Sequence, residues 1–431
     1  MKKIDIINLG CSKNLVDAEF LYTQLKANGI EVRLNPETTD ANTLIINTCG
    51  FIGDAKEESI NAILEAVDLK KQSHNSHLVV MGCLSQRYKT ELKNEIPEVD
   101  ALYGVNEIPA IVRDLGYQYF HDKLLHRLHS TSDHYAYLKI AEGCDRNCAF
   151  CAIPMIRGKQ ISKSVDKLVE EAKYLSDHGV KELILISQEL TRYGIDIYKR
   201  PELVKLLDEL QKINGIEWIR LHYTYPNLFG DDLIDIMAGS SIICHYLDIP
   251  FQHFNDKVLT MMKRGHSKAD GLELIQKIRS KIPDIALRTT MLVGHPGEDE
   301  KAFNELYDAV QEIRFDRLGV FTYSHEEGTH SFKNYEDSIP PVTKRERADK
   351  LMKLQQSLSL DYNENRVGTV LKVLIDKHEG EYFVGRTQYD SPEIDNEVLI
   401  KDKDNNIKVG SFFDVKITDA TEFDLYGTNS Y

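Results

Sequence analysis

The segment of residues 141–154, A-E-G-C-D-R-N-C-A-F-C-A-I-P, constrains this chain more than any other stretch. It places Cys144, Cys148 and Cys151 within eight residues, so that three thiolates can face one small object if the segment folds as a loop. Soft sulfur ligands suit an iron–sulfur cluster or zinc. A structural zinc site usually completes its tetrahedron with a fourth nearby Cys or His, and none follows within the next ten residues. We therefore expect a cluster with one open metal position, and a partial zinc knuckle is the alternative.

Three further cysteines follow predicted strands in the first part of the chain. Apolar runs alternate there with helical patterns, at residues 4–9, 44–46 and 78–81. This alternation predicts a small parallel α/β domain over residues 1–116. A cysteine follows each run, namely Cys11, Cys49 and Cys83. Because the carboxyl ends of parallel strands share one edge of an open sheet, these thiols could converge in a second three-cysteine cluster site. The alternative is that each is a small buried core residue.

The segment of residues 117–134 loses this periodicity and predicts a linker. It carries four histidines, namely His121, His126, His129 and His134. Their irregular spacing on a polar segment favours solvated side chains over a metal site.

Six strand-like runs alternate with helical patterns in the next part of the chain, at residues 137–140, 183–186, 218–221, 246–249, 285–291 and 318–321. Six βα units predict a partial barrel that is open on one side. A charged helix at residues 343–364 then connects onward, and we assign residues 135–364 to this domain. In complete barrels the functional residues lie at the carboxyl ends of the strands. The cysteine loop follows the first strand, so it falls where the chemistry is expected.

Polar residues gather at the same predicted rim. Ser187, Gln188 and Glu189 end the second strand, and Arg288 lies on the fifth. For Arg288 a structural ion pair is as good an interpretation as contact with a ligand. Cys244 precedes the fourth strand without a cysteine nearby, and we interpret it as a core residue.

The pattern changes again over residues 365–431. Short apolar runs are separated by polar turns, at residues 370–375, 382–387, 396–400 and 412–417. Such spacing predicts a small antiparallel β-barrel.

Composition limits the class of protein. With 42% hydrophobic and 28% charged residues, the 431-residue chain is globular and long enough for two or three domains. No window approaches about 18 uninterrupted apolar residues, and the first residues lack the pattern of a signal peptide. We therefore expect a cytoplasmic protein without a membrane, in which seven cysteines serve metal binding better than disulfides. The net charge of −15 argues against an extended surface that binds the phosphates of nucleic acid.

The spacing C-x-x-x-C-x-x-C resembles that of the radical S-adenosylmethionine (radical SAM) enzymes, and the domain order resembles the methylthiotransferases over essentially the whole chain. Four stretches are similar to that family, namely C-A-I-P-M-I-R-G-K-Q-I-S, Y-L-D-I-P-F-Q-H, R-T-T-M-L-V-G-H-P-G-E and Y-S-H-E-E-G-T. The C-terminal domain looks like a TRAM domain, a module usually associated with RNA. The resemblance implies a transferase that inserts a methylthio group at an unactivated carbon.

The resemblance also implies two 4Fe–4S clusters, an electron donor and S-adenosyl-L-methionine. The radical-generating cluster is expected on Cys144, Cys148 and Cys151, and the auxiliary cluster, associated with the delivered sulfur, on Cys11, Cys49 and Cys83. Phe150 is expected near the adenine of the cofactor. The family places contacts to the cofactor's amino group or other parts at positions that correspond here to Ser187, Gln188, Glu189 and Arg288.

The substrate distinguishes two branches of this family, one that modifies an adenosine in transfer RNA and one that modifies the β-carbon of an aspartate in the decoding-centre protein of the small ribosomal subunit. Residues 366–431 contain thirteen Asp and Glu against eight Lys and Arg, a net charge of −5. An RNA-binding module should be basic, whereas an acidic one suits a basic ribosomal protein. The stretches G-R-T-Q-Y-D-S-P-E-I-D-N-E, L-G-C-S-K-N and S-Q-E-L-T-R-Y-G also resemble the second branch. We therefore expect the ribosomal-protein enzyme. The alternatives are the transfer-RNA enzyme and a non-catalytic scaffold for electron transfer.

Overall fold

The computed structural model describes residues 3–72, 77–121, 127–130, 132–401 and 406–429. Within them the chain forms a five-stranded sheet, a six-stranded sheet and a closed five-stranded barrel, in that order. The predicted sequence of α/β domain, partial barrel and small β-barrel is therefore confirmed. None of the helices in these residues is both long and apolar enough to cross a membrane.

The first sheet is parallel throughout, with the strand order β2-β1-β3-β4-β5. Its strands are β1 (Lys3–Asn8), β2 (Glu31–Leu34), β3 (Thr43–Thr48), β4 (His77–Gly82) and β5 (Ala101–Leu102). Its helices are α1 (Ser12–Ala27), α2 (Gly53–Gln72), α3 (Cys83–Arg87), α4 (Lys89–Glu95) and α5 (Ile108–Asp114). Side chains alternate along each strand, so β3 places Ile45 in the core on one face and Leu44 and Ile46 in a second core on the other.

The middle domain is an open sheet of six parallel strands in the order β13-β12-β11-β10-β9-β6. These strands are β6 (Tyr135–Lys139), β9 (Glu182–Ile186), β10 (Trp218–Leu221), β11 (Ile243–Asp248), β12 (Ala286–Val293) and β13 (Arg317–Thr322). A separate antiparallel pair is formed by β7 (Ala141–Glu142) and β8 (Ile161–Ser162). As predicted, Cys244 is a core residue, 1% exposed and packed with Trp218 and Tyr246.

Helices connect these strands and cover the sheet. They are α6 (Ile153–Arg157), α7 (Val165–Asp177), α8 (Ile195–Tyr198), α9 (Leu203–Leu210), α10 (Asp231–Gly239), α11 (Asp256–Met261), α12 (Lys268–Lys281), α13 (Glu300–Ile313), α14 (His330–Asn334) and α15 (Pro341–Glu364). The last is the predicted connecting helix, and its Leu351 and Leu358 are buried in the core of the partial barrel.

The C-terminal barrel closes in the order β14-β15-β16-β18-β17. Its strands are β14 (Val370–Glu379), β15 (Tyr382–Thr387), β16 (Val398–Lys401), β17 (Phe412–Ala420) and β18 (Leu425–Asn429). All its pairs are antiparallel except β16 with β18, which is parallel. Eight buried apolar side chains fill it, among them Val373, Val398 and Val415.

The loop between β15 and β16 inserts into the partial barrel. Arg317 of β13 donates to Asp390 at 2.5 Å, and Arg288 of β12 donates to Asp395 at 3.3 Å. In a third contact, Oγ of Ser391 lies 2.8 Å from Nε2 of His222. The loop therefore packs against side chains of β12, β13 and the segment after β10 in the partial barrel.

The predicted linker is less solvated than its sequence indicates. His134 is 3% exposed, and its Nε2 lies 2.7 Å from Oδ1 of Asp376 in the C-terminal barrel. Arg127 is fully buried and paired with Glu19 and Glu171. The prediction of solvated histidines is wrong for His134 because a carboxylate from a distant strand satisfies it. The predicted His126 lies outside the described residues.

Candidate cysteine-rich site

The loop that carries Cys144, Cys148 and Cys151 projects from the rim of the partial barrel. The β7–β8 pair brackets it, and the backbone N–H of Cys144 donates to the carbonyl of Gly158 at 3.0 Å. On its other side Ala149 donates to the carbonyl of Met262 at 2.8 Å and accepts from Ser331 at 2.7 Å. Backbone bonds to two distant segments therefore fix the loop without using its sulfur atoms.

The three thiols of this loop influence one another. Desolvation, together with the charges of Cys148 and Cys144, raises the pKa of Cys151 to about 12. Desolvation likewise raises the pKa of Cys144 to about 11, again with a contribution from Cys148. Thiols with such pKa values remain protonated at neutral pH unless a metal takes the place of the proton. The loop is thus suited to ligating a metal and poorly suited to acting as a free nucleophile.

Cys11, Cys49 and Cys83 follow β1, β3 and β4 at the carboxyl edge of the first sheet, where the charges of Cys11 and Cys49 act on Cys83. Glycines permit this approach: a Cβ on Gly10 would lie 2.8 Å from Cβ of Cys49, and one on Gly82 would lie 2.6 Å from the carbonyl of Thr48. Both glycines have positive φ, which other residues rarely adopt. The turns that carry the three cysteines can therefore pack together only with glycine at these positions.

Charges distinguish the thiols of the second triad. Desolvation raises the pKa of Cys83 to about 12, and it also raises the pKa of Cys49. Desolvation raises the pKa of Cys11 as well, but the charges of Lys13 and Arg157 outweigh it, so this pKa is lowered overall. Arg157 also donates from Nη2 to Sγ of Cys83 at 3.4 Å. Nearby cationic charge therefore favours a thiolate at Cys11, whereas at Cys83 Arg157 only partly opposes the effect of burial.

Both triads fit iron–sulfur clusters in the chemistry of their ligands. Each supplies three sulfur atoms from a rigid support, which leaves one metal of a four-iron cluster without a protein ligand. Among the described residues, no three His, Cys, Asp or Glu side chains are placed to hold a single metal ion.

A cavity of about 190 Å³ is lined both by the turn after Cys49 and by the loop that carries Cys151. Phe51, two residues after Cys49, lines it from the first domain, and Phe150, next to Cys151, lines it from the partial barrel. Other lining residues come from the ends of β12 and β13 and the segment after β13, including Thr290, Leu292, Phe321, Tyr323 and Glu326. Aromatic and aliphatic walls of this kind limit access of water.

Only some of the side chains that are predicted to contact S-adenosylmethionine have atoms without a protein partner in the described part of the chain. Phe150 lines the cavity, and Oγ of Ser187 is buried without a partner in the described part of the chain. Gln188 donates to Glu142 at 2.8 Å, while its own Oε1 has no partner there. Orphaned buried polar atoms are expected where a polar ligand binds.

Glu189 and Arg288 are both engaged in ion pairs. Glu189 accepts from Arg146 of the cysteine loop at 2.6 and 2.9 Å. Arg288 contacts Asp248 at 3.4 Å and Asp395 at 3.3 Å, so the ion-pair interpretation describes it in this structure.

Sequence reasoning missed two arginines that contact the cysteines. Arg157 reaches Cys83, and Nη1 of Arg264 lies 3.3 Å from Sγ of Cys148. Arg157 is part of the stretch C-A-I-P-M-I-R-G-K, so its proximity to the third cysteine of the loop could have attracted attention. No pattern marks Arg264, which approaches only because α11 ends beside the loop.

The tail is less acidic at its surface than its sequence suggests. Three of its acidic residues form internal ion pairs, namely Asp376 with Arg386, Asp390 with Arg317 and Asp395 with Arg288. Among the described residues the exposed acidic set is Glu379, Glu381, Glu393, Asp414 and Asp419, and the exposed basic set is Lys372, Lys377, Lys401, Lys408 and Lys416. Half-buried residues of the described tail are mainly acidic, with Glu397, Glu422 and Asp424 against Arg366, so the described surface stays weakly acidic.

Three family models match the chain. The radical SAM superfamily matches residues 138–310, a family described as uncharacterized protein family UPF0004 matches residues 3–104, and the TRAM domain matches residues 367–429. The first and second matches contain the two cysteine triads.

Relatives of similar length are found among curated bacterial proteins. A ribosomal protein uS12 methylthiotransferase RimO from Cytophaga hutchinsonii is 52% identical over 425 residues, which cover 99% of this chain and 97% of that protein. The protein of the same name from Flavobacterium johnsoniae is 50% identical, with 99% and 97% covered, and that from Bacteroides thetaiotaomicron is 50% identical, with 99% and 98% covered.

Solved structures are similar in fold at low sequence identity. The radical S-adenosylmethionine methyltransferase TsrM from Kitasatospora setae, with tryptophan substrate and an S-adenosylmethionine analogue bound, aligns with a TM-score of 0.56 at 13% identity and covers 88% of this chain and 79% of TsrM. The cobalamin-dependent radical enzyme OxsB aligns with a TM-score of 0.52 at 11% identity, with 82% and 56% covered. These similarities concern the fold.

Proposed function

This chain belongs to the RimO family of ribosomal protein uS12 methylthiotransferases, and from this membership we propose that it transfers a methylthio group to the β-carbon of an aspartate in uS12. It is a radical SAM enzyme. The observation that carries the proposal is the cavity between Phe51 and Phe150, which is lined both by the turn after Cys49 and by the loop that carries Cys151. A reaction that needs both a radical and a sulfur donor requires both centres beside one substrate.

We assign Cys144, Cys148 and Cys151 to a 4Fe–4S cluster and Cys11, Cys49 and Cys83 to a second one. With S-adenosylmethionine, the first would supply a 5′-deoxyadenosyl radical that abstracts hydrogen from carbon, and the second would supply the site of the inserted sulfur. An electron donor must reduce the first.

The protein's own residues contribute placement and exclusion of water. Phe51, Phe150, Leu292 and Tyr323 surround the cavity with apolar surface, which keeps water away from a reactive carbon. The free Oγ of Ser187 and Oε1 of Gln188 offer buried acceptors for polar groups of S-adenosylmethionine. For Glu189 to receive the cofactor's amino group, its carboxylate would have to share its charge with Arg146.

Two alternatives predict different binding. A transfer-RNA methylthiotransferase would need a basic strip on its TRAM domain, and in the described part of that domain the five exposed basic residues do not outnumber the five exposed acidic ones. A scaffold for electron transfer would not cleave S-adenosylmethionine. We place the enzyme in the cytoplasm, where ribosomal proteins are found, with no nucleic acid as its substrate.

The test of this choice offers the reconstituted enzyme two substrates in parallel, uS12 and unmodified transfer RNA, with S-adenosylmethionine and a reductant. We expect a methylthio group on uS12 and none on the RNA. Modification of the RNA alone would show that the transfer-RNA alternative is right. Absence of S-adenosylmethionine cleavage with both clusters present would favour the scaffold.

A further inference from the structure

Arg157 links the two cysteine triads. It ends α6, the helix directly after the cysteine loop, yet its guanidinium points into the first domain. There Nη2 donates to Sγ of Cys83 at 3.4 Å and to Oδ1 of Asn14, while Nη1 donates to Asp17 at 3.1 Å and Glu142 at 2.9 Å. Its side chain is 2% exposed.

Arg264 stands in a corresponding relationship to the other triad. It is 4% exposed, and Nη1 lies 3.3 Å from Sγ of Cys148. Its guanidinium carbon lies 4.1 Å from the centre of the Tyr225 ring, and its own carbonyl accepts from the Tyr225 hydroxyl at 2.6 Å. The same guanidinium donates to the carbonyl of Pro250. Stacking and hydrogen bonds on both sides thus orient the side chain towards one sulfur.

The reduction potential of an iron–sulfur cluster depends on its net charge, its exposure and the hydrogen bonds to its sulfur atoms. Reduction adds negative charge, so a buried cation that donates N–H to a ligand sulfur stabilises the reduced state and raises the potential. The effect is strong where little water screens the charge. Asp17 and Glu142 offset part of the charge of Arg157, and Lys139 pairs with both of them.

We propose that Arg157 and Arg264 are positioning residues that set the potentials of the two clusters separately, Arg157 that of the cluster on Cys11, Cys49 and Cys83 and Arg264 that of the cluster on Cys144, Cys148 and Cys151. This inference rests on the proposed function, since it requires both clusters. Its structural basis is that each triad has one buried guanidinium within 3.4 Å of one of its sulfur atoms.

The experiment separates the clusters before it measures them. One background, C144A/C148A/C151A, retains only the second triad, and the other, C11A/C49A/C83A, retains only the loop triad. R157Q and R264Q are placed in each background, the proteins are reconstituted anaerobically with iron and sulfide, and the midpoint potential is measured by redox titration with electron paramagnetic resonance. R157K and R264K, which keep the charge but not the planar geometry, are the conservative variants.

We expect R157Q to shift the potential to more negative values in the first background and to leave it unchanged in the second, and R264Q to do the reverse. The lysine variants should recover part of each shift, which a role in folding alone would not explain. If R157Q fails to bind iron, R157K carries the measurement and must show a potential more negative than that of its parent background, with no shift in the other background. Equal shifts in both backgrounds, or no shift at normal iron content, would overturn the inference.

A different result identifies failure of the proposed function. If the protein with only the second triad takes up no four-iron cluster while its fold is intact, the two-cluster assignment is wrong, whatever the arginines do. The measurement of iron in the two parent backgrounds therefore precedes every comparison of potentials.

Discussion

Nη2 of Arg157 lies 3.4 Å from Sγ of Cys83, although Arg157 follows the cysteine loop of the partial barrel and Cys83 begins a helix of the first domain. The same guanidinium pairs with Asp17 of α1 and Glu142 of β7. A buried ionic network therefore joins the supports of the two triads.

The loop triad should be essential for cleavage of S-adenosylmethionine. Replacing Cys148 by Ala removes one ligand of the cluster, and we expect formation of 5′-deoxyadenosine to be lost, as measured by chromatography after reduction with dithionite. Cys244→Ala is the matched control, because Cys244 is a core residue away from both triads. Cleavage at a normal rate by the Cys148 variant would show that the radical assignment is wrong.

The second triad should hold its own iron. For Cys49→Ala we expect roughly half of the iron to be lost, since one of two four-iron clusters is removed. Thiomethylation should stop while some cleavage of S-adenosylmethionine continues. Iron and sulfide analysis of the purified protein checks the first expectation, and an unchanged iron content would exclude a cluster at this triad.

The inserted loop of the TRAM domain should contribute to stability through Arg317 and Asp390, whose side chains are 5% and 2% exposed. Arg317→Ala leaves a buried carboxylate unpaired, which typically costs about 3–5 kcal/mol. The control is Lys372→Ala, which removes an exposed pair with Glu217 between the same two domains and should cost about 1 kcal/mol or less. Urea unfolding measures the free energy of unfolding of both variants. An equal loss in the two variants would contradict a structural role for the loop.

Acid should weaken the same domain contact. Burial raises the pKa of Glu182, but Arg386 and Arg220 outweigh it and leave this pKa below its usual value. A carboxyl group with a lowered pKa in the folded state stabilises the protein above its unfolded pKa, about 4.3 for Glu, and this contribution is lost as the pH falls through the folded value. We expect stability to fall below pH 4.3, with a smaller dependence in Glu182→Gln.

The single tryptophan gives the measurement for this acid effect. Trp218 lies at the contact between the two domains, with its ring centre 4.7 Å from that of Phe412. Its fluorescence should change as the contact opens in acid. An identical acid dependence in the wild type and Glu182→Gln would exclude Glu182 as the responsible group.

The parts of the fold that could be predicted are those with strong local patterns. The central strands are buried on both faces and are continuous apolar runs, such as Leu183–Ile186 within β9. The edge strands β2 and β5 and the last strand β18 are short or carry polar residues, and no pattern marked them. The six cysteines could be singled out because three share the spacing C-x-x-x-C-x-x-C and each of the other three follows a predicted strand, while their role as cluster ligands stays a prediction.

What the sequence did not indicate depends on contacts between distant segments. Arg264 meets Cys148 across 116 residues, and Asp390 meets Arg317 across 73. Such pairs form only when whole segments pack together. The net charge of the tail therefore included Asp390, although this residue is buried and paired with Arg317. The tail's net charge agrees with the ribosomal protein for which the relatives are named, and those relatives give the stronger support for uS12.

The modification itself gives the most direct test. Ribosomal proteins are isolated from the source strain, from a strain lacking this gene, and from the deletion strain carrying either the intact gene or the Cys148→Ala variant, and uS12 is analysed by peptide mass spectrometry. We predict a methylthio group on one aspartate of uS12 in the source strain, its loss on deletion, its return with the intact gene and no return with the variant. Retention of the group in the deletion strain would contradict the proposed function.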